Sequence, residues 1–144
     1  MVKMNISELL ITLHINTLYT LKLIASKNTL SLQQVLCIYS IPLDGITQTN
    51  LADSLSVKIS TLSRNLDKLE SQNIIIKKTV KDDKRFFKIF LTDHGLNLFS
   101  KILSDLKDYT ENLYLTTESD DIQSIIDSLL ALNWSILQDK TQRV

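Results

Sequence analysis

The chain has 144 residues, 44% of them apolar and 22% charged, with 16 cations matched by 16 acids. That length and balance suit one globular domain with its own core and argue against global disorder. A single cysteine, Cys37, excludes an intramolecular disulfide, and no Cys/His grouping has the spacing of a structural zinc site, so neither metal nor cofactor is expected.

No apolar run reaches the ~20 residues that cross a bilayer, and MVKMNISELL lacks the charged, apolar and cleavage segments of a leader. A cytoplasmic chain with no membrane partner is the expectation. Two glycines, Gly45 and Gly95, and one proline, Pro42, force few turns, which predicts a mostly α fold.

In chain order, residues 5–27 form a first helix with apolar residues on too many sides for one surface stripe, among them Ile6, Leu9, Leu13, Leu21 and Ile24. Ser31 caps a second, LQQVLCIYSI, which Pro42 ends by pushing its predecessor out of the α region. Gly45 marks a turn. Thr47 caps a third, QTNLADSL, and after a break near Ser56 and Val57 a fourth, ISTLSRNLDKLESQN, places Ile59, Leu62, Leu66 and Leu69 on one side.

Ile74–Ile76 and Phe86–Leu91 are β-branched or aromatic runs around a charged turn, the pattern of a short antiparallel ribbon. Asn73, which tolerates left-handed geometry, suits the helix exit before it. Thr92 with Asp93 starts a fifth helix, and Thr117 with Glu118 and Asp120 a sixth carrying Ile122, Ile125, Ile126, Leu129, Leu130, Ile136 and Leu137.

A helix pair followed by a basic ribbon reads as a winged helix-turn-helix, and the charge distribution agrees. From Lys58 to Lys88 nine cations face four acids, whereas from Asp105 to Asp127 seven acids face only Lys107. One part of a neutral molecule therefore attracts phosphate, which points to double-stranded DNA as the partner.

With Leu62 inward, about 100° per residue puts Ser60, Ser63, Arg64, Asp67 and Lys68 on the outer half of the fourth helix and Thr61 and Asn65 on its flanks. Arg64 suits a bidentate contact to guanine, the hydroxyls and Asn65 suit base edges or phosphate, and Lys68 suits phosphate. In the ribbon, Arg85 suits a narrow minor groove with Asp83 to orient it, and Lys77, Lys78, Lys81 and Lys84 suit phosphate.

LADSLSVKISTLSRNLDKLE followed by IIIKKTVKDDKRFFKIFLTDHG resembles the winged core of the MarR (multiple antibiotic resistance regulator) family of bacterial transcription factors. Its most specific parts are Ser63-Arg64 with Leu66-Asp67-Lys68-Leu69, Asp83-Lys84-Arg85, and Leu91-Thr92 with Gly95. Asn73 departs from the pattern, which has glycine there. The resemblance implies an obligate homodimer built from terminal helices, DNA contacts from the fourth helix and wing, and frequently release of repression by a small molecule or by cysteine oxidation. Reactive thiols in that family usually lie in the first helix; Cys37 lies in the second, so a small buried apolar role is expected for it.

The whole chain, 1–144, is thus expected to be one six-helix domain. Residues 1–30 and 96–144 supply the dimerisation helices, and 31–95 form the winged module. The apolar surplus of the end helices supports dimerisation, and a two-fold dimer would read a pseudo-palindromic site as a repressor. A protein-interaction module of the same fold that does not bind DNA is the alternative. No Gly-rich phosphate loop, nucleophile motif or paired-histidine site points to an enzyme.

Overall fold

Asn5 opens the first helix, α1 (Ile6–Lys27). Its side chain accepts from the Glu8 amide at 2.9 Å while Glu8 accepts from the Asn5 amide at 3.2 Å, a reciprocal capping box. Ser31 and Gln34 repeat the device for α2 (Leu32–Ser40), and Thr47 caps α3 (Gln48–Leu55) through the Asn50 amide. Ser56, left-handed at φ 54°, turns the chain into α4 (Ile59–Ser71). After it come β1 (Ile75–Thr79), β2 (Phe87–Leu91), α5 (Asp93–Tyr114) and α6 (Ser119–Gln142).

In this computed structural model, residues 5–79, 87–115 and 119–142 are described. The six helices and the antiparallel ribbon make the mostly α winged architecture that the sequence predicts. Thr117 and Glu118, the expected cap of α6, lie outside the described residues.

The chain divides into two compact units, Met1–Asp105 and Leu106–Val144. In the first, α2 contributes Val35 and Ile38, α3 Leu51, α4 Leu62, Leu66 and Leu69, the ribbon Ile75 and Ile89, and α5 Ile102 to a fully covered core. Ile59 departs from expectation: grouped by sequence with the core leucines, it is 51% exposed. Helical side chains lean toward the N-terminus, so at the first position Ile59 points past the end of its helix rather than onto a neighbouring turn.

The ribbon is fixed along the edge of β2 and at its base. Ile46 exchanges backbone hydrogen bonds with Ile89, extending the sheet by a bridge. Gly45, at φ 75°, lies under the Phe90 ring, where a Cβ would come within 2.6 Å of ring carbons. At the base the Thr92 amide donates to Ile74 O at 3.0 Å, and its hydroxyl oxygen accepts from the Gly95 amide at 3.1 Å, capping α5. A Cβ on Gly95 would sit 2.1 Å from Ile74 O, so only glycine permits this approach.

Asp105, almost fully covered, ties α5 to the end of α1. Its carboxylate accepts from the Lys27 ammonium and, at 2.9 Å, from Asn28 Nδ2. The Lys27 hydrogen bond, then that of Asn28, holds the carboxyl below the usual carboxylate range against the opposing effect of burial.

By length and composition α1 is long and apolar enough to cross a bilayer, which corrects the reading that no run reaches that length. Mean hydropathy tolerates the Thr, His and Asn interspersed through this helix, whereas a search for unbroken apolar residues does not. Those two properties alone do not assign it a bilayer, because exposed Ile6, Ile11, Tyr19 and Leu23 suit a protein interface equally. In the second unit no described side chain of residues 106–142 is buried, and Leu129, Leu130, Trp134 and Ile136 stand exposed on α6.

Candidate nucleic-acid interface

Burial of Leu62, Leu66 and Leu69 settles which side of α4 faces outward. Ser60, Thr61, Arg64 and Lys68 are exposed, and Ser63 and Asn65 are half-buried at the margin. Asn65 Nδ2 donates to Thr61 O at 3.3 Å, which leaves its side-chain oxygen directed away from that bond. Arg64 makes no hydrogen bond or ion pair with another described residue, so its five donors are open to a ligand. Lys58 precedes the helix without a side-chain cap, and the open first-turn amides add a partial positive charge to this end.

The register of the ribbon decides which of its cations share the surface. Lys77 opposes Ile89 and Lys78 opposes Lys88. Successive side chains alternate between faces, so Ile75 and Lys77 point one way and Ile76 and Lys78 the other. Lys78 is exposed, with its ammonium 5.4 Å from the centre of the Phe90 ring. Lys88 donates to Asp44 O at 3.3 Å. Like charges placed opposite one another are mildly unfavourable, and a bound polyanion relieves that repulsion.

Lys77 departs from the phosphate-contacting role that composition suggests. Its ammonium lies 3.1 Å from Asp67 Oδ1 and 2.9 Å from Glu70 Oε2, turned onto α4 rather than outward. Partial burial pulls its pKa down, but the hydrogen bonds it donates to Glu70 and Asp67 outweigh that and raise it. Asp67, placed on the outer half of α4 by periodicity, is thereby engaged. Lys81, Asp83, Lys84 and Arg85 lie outside the described residues.

Cys37 is fully buried, and desolvation pushes its thiol up to about 11, the behaviour of a small apolar core residue.

The fold has close counterparts. A crystal structure of MarR superposes with a TM-score of 0.83 at 19% identity, covering 99% of this chain and 97% of that one. Wild-type apo MarR from E. coli gives 0.80 at 20% identity, over 90% of this chain and 97% of that one. A MepR–DNA complex from S. aureus gives 0.71 at 20% identity, over 92% of this chain and 99% of that one. These identities speak to the fold alone. No curated protein matches by sequence. The MarR family model matches residues 30–86, from the residue before the α2 cap to the edge of β2. Over those residues the chain is similar to the winged module of the MarR family.

Within the matched residues the six expected positions of α4, Ser60, Thr61, Ser63, Arg64, Asn65 and Lys68, fall on one helix beside the ribbon that carries Lys78. Asn73 takes φ 55° where the resemblance expects glycine, the left-handed geometry that its side chain tolerates. Sequence reasoning missed the bracketing of Lys77 by α4. The signal was present in part, since Asp67 and Glu70 are three apart and share a helix side, but only the strand register brings Lys77 opposite them.

Proposed function

We propose that the protein is a sequence-specific DNA-binding transcription regulator. It acts as a homodimer on a pseudo-palindromic operator and represses by occupying it, without catalysis. The observation that carries this reading is the exposed, unengaged Arg64 among hydroxyls and Lys68 on the outward face of α4, within a module similar to that of the MarR family. MepR, which shares the fold, has been crystallised with DNA.

In this reading Arg64 contacts base edges, Ser60, Thr61, Ser63 and Asn65 divide between bases and phosphate, and Lys68 and Lys78 grip phosphate. Lys81, Lys84 and Arg85, oriented by Asp83, extend the grip. Residues 1–30 and 96–144 provide the dimer helices, 31–95 the reading module, and the exposed apolar residues of α1 and α6 supply the surface that a second copy covers. A small-molecule effector relieves repression by binding better to a dimer whose reading helices are misplaced for DNA, since equal affinity for both states shifts nothing. A soluble cytoplasmic location follows from such a role.

Equilibrium binding to promoter DNA across a salt series tests the proposal. Affinity should fall steeply with salt, and Arg64→Ala should weaken specific binding by about 1–3 kcal/mol while relaxing preference at one base position. Absence of binding at low salt, or a flat salt response, overturns it.

A further inference from the structure

Resting on the DNA-binding reading above, we infer that Lys77 is a positioning residue of the interface: held between Asp67 and Glu70, it cancels two acids on the reading helix and fixes β1 to α4 without touching phosphate itself.

Asp67 and Glu70 lie three residues apart on α4, close enough to repel each other, and Asp67 lies three residues beyond Arg64 on the same side. A bare carboxylate there would face the phosphate that Arg64 and Lys68 approach. The Lys77 ammonium reaches both acids at hydrogen-bonding distance and removes that field. Lys77 arrives from the strand, with Ile75 buried two residues earlier on the same face, so an apolar anchor and a charged anchor together set the angle between β1 and α4. That angle also sets where Lys78, the next residue of β1, stands relative to Arg64 and Lys68 on α4. The three groups stay partly exposed, so the pairing adds little to global stability and acts mainly on placement. The raised pKa of Lys77 keeps it charged throughout the physiological range.

The test uses the full-length protein and a labelled duplex that the wild type selects from a randomised pool, with affinity measured against salt. Lys77→Gln should weaken binding by about tenfold with an unchanged salt slope, and Lys77→Arg should keep wild-type affinity. Adding Asp67→Asn and Glu70→Gln to Lys77→Gln should restore binding to within about threefold, because no uncompensated acid is left. Lys78→Gln, by contrast, should reduce the slope by about 0.9 for each phosphate it no longer neutralises. A slope reduced in the same way by Lys77→Gln, or a triple variant that binds no better than Lys77→Gln, overturns the inference. If the wild type selects no duplex, the DNA-binding reading fails by itself, and amide hydrogen exchange then judges the clamp. Faster exchange across β1 in Lys77→Gln than in Lys78→Gln upholds it; equal exchange in the two variants overturns it.

Discussion

Leu66 on α4 and Leu130 on α6 are the same residue type in helices of the same chain, yet Leu66 is fully covered and Leu130 is 62% exposed. Around Leu66 the first unit closes on itself, since α2, α3, the ribbon and the start of α5 each bring an apolar side to one centre. Around Leu130 the second unit offers no such cover, and Trp134, one turn further on, is 63% exposed. Burial inside one chain thus accounts for the stability of the first unit, whereas the second leaves the apolar side chains of α6 exposed.

The contrast can be broken most directly at its buried end. Leu66→Ala should cost about 3–5 kcal/mol of unfolding free energy, seen as a large drop in urea midpoint, because it empties a fully packed site. At the exposed end, Leu130→Asp combined with Trp134→Asp should leave the circular dichroism of the module intact. It should also weaken self-association by about 2 kcal/mol or more, read as a shift toward monomer in sedimentation. A stable dimer in that variant would remove α6 from the interface.

Asp105, the last residue of the first unit, sharpens the comparison through pH. Its folded pKa is depressed by Lys27 and Asn28, so the stability it contributes is present above the ordinary carboxylate value of about 4 and is lost as pH falls through the folded value. Asp105→Asn should therefore lower stability by about 1–3 kcal/mol near neutrality, and its Tm should converge with that of the wild type below about pH 4. The smallest effect is expected at Thr29, a β-branched residue held at φ 57° between α1 and α2. Thr29→Asn should raise stability by about 0.5–1 kcal/mol by relieving left-handed strain, measured as a Tm gain of a few degrees.

Much of this was legible in the residues. Ser31 and Thr47 mark the starts of α2 and α3 because short hydroxyl side chains satisfy amides that a helix leaves open, a strictly local effect. The outward side of α4 follows from a 3.6-residue period with three leucines to orient it. The fate of individual charges was not legible. Lys77 and Lys78 are neighbours of one type, and which of them turns onto α4 depends on the pairing of β1 with β2.

Local chemistry in the chain thus determined where helices begin, which face of α4 is apolar and where basic residues accumulate, since caps, periodicity and charge act over a few residues. The tertiary structure alone decided that Lys77 meets Asp67 and Glu70, that Gly95 must lie against Ile74, and that Asp105 clamps α1. Each of these joins residues far apart or on different elements, and their approach is set by packing of the common core rather than by any preference of the residues themselves.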